Sequence, residues 1–94
     1  MDSDINAQDH ADKGLELLKH RKYQEAVLCF DQAIQIDPKN EEYYSHKALA
    51  LRNLGKYQEL ILCYDQAIQI NPNNDAYPGN KGIALKILGK YEEA

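Results

Sequence analysis

Residues 23–40, YQEAVLCFDQAIQIDPKN, return at residues 57–74 as YQELILCYDQAIQINPNN, with thirteen of eighteen positions identical. The five changes are mild except for Ala26 against Leu60. The step from Tyr23 to Tyr57 reaches beyond the quoted stretch. Tyr91 keeps it, as do Asn6, Asn40 and Asn74. So do the pairs Cys29 and Cys63, Pro38 and Pro72, and Gly55 and Gly89. A period this strict, with no insertion, points to stacked units, each covering an apolar face that its neighbour cannot bury alone.

Inside one period the apolar spacing is helical. Ala26, Val27, Phe30, Ala33 and Ile34 fall on one face of a helix, and Leu60, Ile61, Tyr64, Ala67 and Ile68 repeat them. Each helix stops at a proline turn, at Pro38 or Pro72, because proline cannot continue the hydrogen-bond ladder. The other half of the period is helical too, with Tyr44, Ala48, Leu51 and Leu54 on one face. Gly55 stands where a left-handed C-terminal cap is wanted. Asn40 and Asn74 are placed to cap the helices that follow them. The predicted unit is therefore helix, tight turn at Gly-Lys-Tyr, helix, proline turn.

Composition bounds what such a chain does. At 94 residues, 44% hydrophobic and 28% charged, it makes one small all-α domain, 1–94. A net charge of −4 argues against a nucleic-acid partner. The longest apolar run, Leu60–Tyr64, is far short of the roughly 18 residues of a membrane span. The acidic start, Met1-Asp2-Ser3-Asp4, is followed by no apolar stretch, so no secretory signal is expected and a cytoplasmic protein is.

The residues with reactive chemistry are His10, His20, His46, Cys29 and Cys63. The histidines lie too far apart in the chain for zinc spacings, and no glycine-rich phosphate loop follows a strand. The cysteines occupy equivalent helices, whose axes should stand about 8–10 Å apart. A disulfide needs Cα atoms within about 7 Å, so both are expected as buried free thiols. We expect no catalytic residue, no metal and no cofactor: the chain is not an enzyme.

These residues together resemble the tetratricopeptide repeat family, whose unit is a helix–turn–helix of about 34 residues. Counted from Ala7, the match gives units 7–40 and 41–74 and a partial third at 75–94. Gly14, Ala48 and Gly82 match the small residue of the first helix, and Tyr23, Tyr57 and Tyr91 the turn aromatic. Ala33 and Ala67 match the small residue of the second helix, and Pro38 and Pro72 the closing proline. The resemblance implies a right-handed α-solenoid of antiparallel helix pairs.

The departures are specific. His10, Tyr44 and Pro78 stand at a usually bulky place, and Leu60 at a small one. Lys13, Lys47 and Lys81 stand at an apolar place, their stems expected to cover apolar surface while the ammonium reaches water. Tyr77 precedes a proline, so the third unit's first helix is predicted to begin near Pro78, with proline at the first helical position. Residues 89–94 are predicted to open the second helix of that unit, leaving Leu85 and Leu88 uncovered.

The resemblance also implies a use. First helices of successive units line a groove for a peptide or helix of a protein partner. Its places here include Asp12, Leu15 and Lys19, then Glu42, His46, Leu49, Arg52 and Asn53, then Asn80, Ile83 and Lys86. Leu15, Leu49 and Ile83 form an apolar line, with Lys19, Arg52 and Lys86 as a basic line beside it. That pairing suits a segment carrying apolar and acidic residues. The clamp by which chaperone-binding members hold a terminal carboxylate matches Ala11, Leu15, His46, Ala76 and Asn80, so it is expected to be absent. The asparagine ladder of members attached to sugar transferases matches Asp12, His46 and Asn80, so one rung survives. The alternatives are a homodimer joined through Leu85 and Leu88, or a recruiting segment of a larger protein.

Overall fold

The computed structural model describes residues 6–93. Five helices follow one another among the described residues: α1 (Ala7–Lys19), α2 (Tyr23–Ile36), α3 (Glu41–Leu54), α4 (Tyr57–Ile70) and α5 (Ala76–Glu93). Each packs against the next in chain order, giving an elongated body of 52 × 29 × 17 Å. The architecture is an all-α helical repeat solenoid.

The asparagines of the repeat start the helices. Asn6 Oδ1 accepts from Asp9 N at 2.9 Å while Asp9 Oδ2 accepts from Asn6 N at 3.2 Å, a reciprocal capping box. Asn40 Oδ1 accepts from Glu42 N and Asn74 Oδ1 from Ala76 N, as their positions predict. Each bond satisfies a first-turn N–H that has no acceptor within the helix.

The turn between paired helices is the same in both complete units. Lys22 N donates to Leu17 O at 2.9 Å, and one repeat later Lys56 N donates to Leu51 O at 2.9 Å. The residue before each lysine is left-handed: Gly55 at φ 76° and Arg21 at φ 61°. Glycine meets that geometry freely, whereas a side chain crowds its own carbonyl there. Arg21→Gly is expected to raise stability by about 1 kcal/mol, read as a higher denaturant midpoint at unchanged slope.

Two apolar clusters fill the seams. The first gathers Ala7, Ala11, Ala26, Phe30, Ala33, Tyr43 and Ala50. The second gathers Ala48, Leu51, Leu60, Cys63, Tyr64, Ala67, Tyr77 and Ala84. Leu60 is absorbed there, 2% exposed, where Ala26 is fully buried in the first. Cys29 and Cys63 are both buried free thiols. Burial pushes the Cys63 thiol up to about 11, so it stays protonated and packs as a small apolar group.

The glycines at the repeat's small position behave differently. A Cβ on Gly14 would lie 2.8 Å from the Phe30 ring, whereas one on Gly82 would meet nothing within 4 Å. Gly14→Ala must displace a fully buried ring and should cost about 1–2 kcal/mol. Gly82→Ala should instead stabilise by up to about 1 kcal/mol through helix propensity. Urea melts of the two variants check the opposite signs.

The third unit departs from expectation twice. Helix α5 begins at Ala76, so Pro78 is its third residue and not its first. A first-turn proline forfeits no intrahelical bond. Tyr77 overrides its bias away from helix because its ring is buried against Tyr64, centroids 6.2 Å apart. Gly89 does not bend the chain either, since α5 runs through it to Glu93. After Gly55, α4 folds back to cover Leu51 with Leu60; the described residues put nothing back over Leu85, and helix propagation wins.

Two of the three lysines at the usually apolar place, Lys47 and Lys81, also differ. Their ammonium groups end on aspartates: Lys47 Nζ lies 2.6 Å from Asp31 Oδ1, and Lys81 Nζ 2.6 Å from Asp65 Oδ1. Each pair ties the second helix of one unit to the first helix of the next. For Lys47, burial works to lower the pKa, but the hydrogen bond and charge of Asp31 leave it raised.

Candidate functional site

Helix α3 presents Glu42, Ser45, His46, Leu49 and Arg52 along one side, because residues three and four apart share a face. With Glu41, Tyr64 of α4, Asn74, and Ala76, Tyr77 and Asn80 of α5, these residues line a groove of about 530 Å³. Of the predicted places it brings together Glu42, His46, Leu49, Arg52 and Asn80. Ile83 lines an adjoining recess of about 40 Å³ with Arg52, Tyr57 and Asn80.

The groove floor is built by repeat-equivalent contacts. The Phe30 ring stacks on His46, centroids 5.7 Å apart and planes 29° off parallel. One unit later Tyr64 stands for Phe30 and Asn80 for His46, and both side chains line the groove. Burial raises the Tyr64 pKa, with the Arg52 charge and the nearby Asn80 amide pulling the other way. Burial lowers the pKa of His46, against the Glu42 charge, and its Nδ1 is buried with no hydrogen-bond partner. His46 is thus a neutral ring wall at neutral pH.

The remaining predicted places lie elsewhere. Asp12 accepts from Gln8 Nε2 on the exposed side of α1, and Leu15 packs on the first apolar cluster. Lys19 is exposed in the last turn of α1, one place off the repeat step that Arg52 and Lys86 keep. Asn53 Nδ2 is tied back to Leu49 O at 2.9 Å, and Lys86 is exposed outside the groove lining. Leu85 is 49% exposed, while Leu88 is half-buried beside a hollow at Gly55, Lys56 and Tyr57. His20 Nε2 sits 3.2 Å from Glu16 Oε2, away from the groove. No three His, Cys, Asp or Glu converge as a metal site among the described residues. No helix among them is long and apolar enough to cross a membrane.

Tyr43 and Tyr77 are the important residues that spacing overlooks. They are repeat equivalents, 4% and 6% exposed, and each belongs to the apolar cluster of its seam. Tyr77 also lines the groove beside Glu41 and Ser45, so it forms a wall of the groove as well as part of the core. Their first-unit counterpart is Asp9, which hides the pattern.

Comparison with known proteins agrees with this fold. A family model described as TPR repeat matches residues 14–55, and one described as tetratricopeptide repeat matches residues 41–74. No curated protein sequence matches the chain. Among solved structures, the second TPR of Spaghetti (RPAP3), bound to the HSP90 peptide SRMEEVD, superposes with a TM-score of 0.85 at 28% identity. That match covers 94% of this chain and 82% of the other. A MamA D159K mutant gives 0.83 at 26% identity over 99% of this chain and 51% of its own. The Sgt2 TPR domain from Aspergillus fumigatus gives 0.81 at 21%, over 92% and 57%, a likeness of fold alone. On two overlapping repeat models, five helices in the matching order and these superpositions, the chain belongs to the tetratricopeptide repeat family.

Proposed function

We propose that the chain is a protein-interaction scaffold that holds a peptide or helical segment of a partner in the groove between α3 and α5. The observation that carries this is the convergence of Leu49, His46 and Arg52 on a groove open to solvent. A half-exposed apolar centre with a cation beside it favours a segment carrying apolar and acidic residues. The Spaghetti (RPAP3) domain, similar over most of its length, holds a peptide. Here the clamp positions are Ala11, Leu15, His46, Ala76 and Asn80, so the partner is held by internal side chains and not by its terminal carboxylate.

The test is to pan a random-peptide display library on the chain, counter-selecting on a folded variant with Leu49→Asp and Arg52→Glu. Enriched peptides should keep their affinity within about twofold when their C-terminus is amidated, a change of less than about 0.4 kcal/mol. Lack of enrichment over the variant overturns the groove assignment.

The exposure of Leu85 favours one second reading, self-association through Leu85 and Leu88.

A further inference from the structure

We propose that the groove is bipolar, and that it selects an extended segment with a basic residue at one end, an acidic residue four or five positions away, and an apolar residue between them. This rests on the groove reading above and narrows the partner's chemistry. Glu41 and Glu42 stand at the N-terminal end of α3, and Arg52 in its last turn. All three line the groove, with Leu49 and His46 between. The helical path from Glu42 to Arg52 is about 15 Å long, at a rise of about 1.5 Å per residue. An extended chain covers that span in four or five residues, at about 3.3–3.6 Å each.

The facing wall leaves this polarity in place. Its residues on α5 and the preceding turn are Asn74, Ala76, Tyr77 and Asn80, none of them charged at neutral pH. Lys81, next to Asn80 in the sequence, is held by Asp65. Glu41 is anchored: its Oε2 accepts from Asn71 Nδ2 at 3.1 Å. Glu42 is exposed, and its charge reaches the half-buried His46. The Arg52 charge reaches Tyr64 at the other end. A wholly acidic segment would meet two carboxylates at one end, and a wholly basic one a guanidinium at the other. Like charges there cost affinity, so the charge order of the ligand is part of its recognition.

The experiment pans one nine-residue random library in parallel on the wild-type chain, on Glu42→Lys and on Leu49→Asp, with circular dichroism confirming that each variant is helical. Wild-type enrichment for peptides with a basic and an acidic residue four or five apart, lost on Glu42→Lys in favour of acidic residues at both ends, supports the proposal. For one such peptide, replacing its basic residue by alanine should weaken binding to wild type about fivefold by fluorescence anisotropy. The same replacement should weaken binding to Glu42→Gln by clearly less, since only the Asn71-anchored Glu41 remains at that end. Wild-type enrichment that carries no charge order, or is unchanged on Glu42→Lys, overturns the bipolar assignment while the groove stands. Enrichment that is equal on Leu49→Asp, or absent altogether, overturns the groove and the polarity with it.

Discussion

Leu51→Asp should unfold the chain, whereas Leu85→Asp, the same change one unit later, should leave it folded. Leu51 is 1% exposed, at the centre of the second cluster with Leu60 and Tyr64. An aspartate there loses the apolar burial and places a carboxylate among side chains that offer no cation. The cost is on the order of 4–5 kcal/mol or more. Small domains carry about 0.05–0.15 kcal/mol of stability per residue, so a chain of 94 residues has little left after such a loss. Leu85 is 49% exposed, and the same substitution should cost less than about 1 kcal/mol. Helical ellipticity and a urea melt check both. If Leu85→Asp unfolds as Leu51→Asp does, Leu85 is covered in solution, and light scattering on the wild type then shows whether a second copy covers it.

Leu49→Asp should abolish peptide binding and spare the fold. Leu49 lines the groove and is 37% exposed, while its neighbours Ala50 and Leu51 are buried. One residue's rotation along α3 therefore separates a binding side chain from two core side chains. Central apolar contacts of an interface carry about 2 kcal/mol or more, so a peptide enriched on the wild type should bind at least about 30-fold more weakly. The melting temperature should fall by no more than a few degrees, because an exposed substitution costs a fraction of a kcal/mol. A collapse in stability comparable to that of Leu51→Asp would move Leu49 into the core and remove it from the groove.

The helices of the first two units and their caps could be read from the sequence because each is stated locally. Asn40 and Asn74 cap, Gly55 turns left-handed, and Cys29 and Cys63 are buried free thiols. What escaped depends on neighbours. Arg21 takes the left-handed turn that the repeat elsewhere gives to glycine, held there by the same bond pattern. Pro78 enters the first turn of α5 because Tyr77 is anchored by its buried ring. The bend at Gly55 fails to recur at Gly89 because a turn between packed helices is partly a product of the packing. Of the candidate groove, the α3 places came from the resemblance to the repeat family, and the part of Tyr77 was masked by Asp9 in the first unit. The lysine bridges did leave a signal, since both Lys47 and Lys81 and their partners Asp31 and Asp65 repeat at the same step as the tyrosines.

That repetition bears on how the chain assembles in the right order. The same bridge closes both seams, so it cannot tell one unit from another, and α2 and α4 share most of their residues. With α4 in the place of α2, Asp65 would stand where Asp31 meets Lys47, the kind of kinetic trap to which repeat chains are prone. What opposes it is volume: Leu60 would have to enter the space that the fully buried Ala26 fills, in a cluster whose Phe30 ring already closes on Gly14. The one pronounced difference between the two copies thus acts as a proofreading element, and Ala26→Leu would erase it.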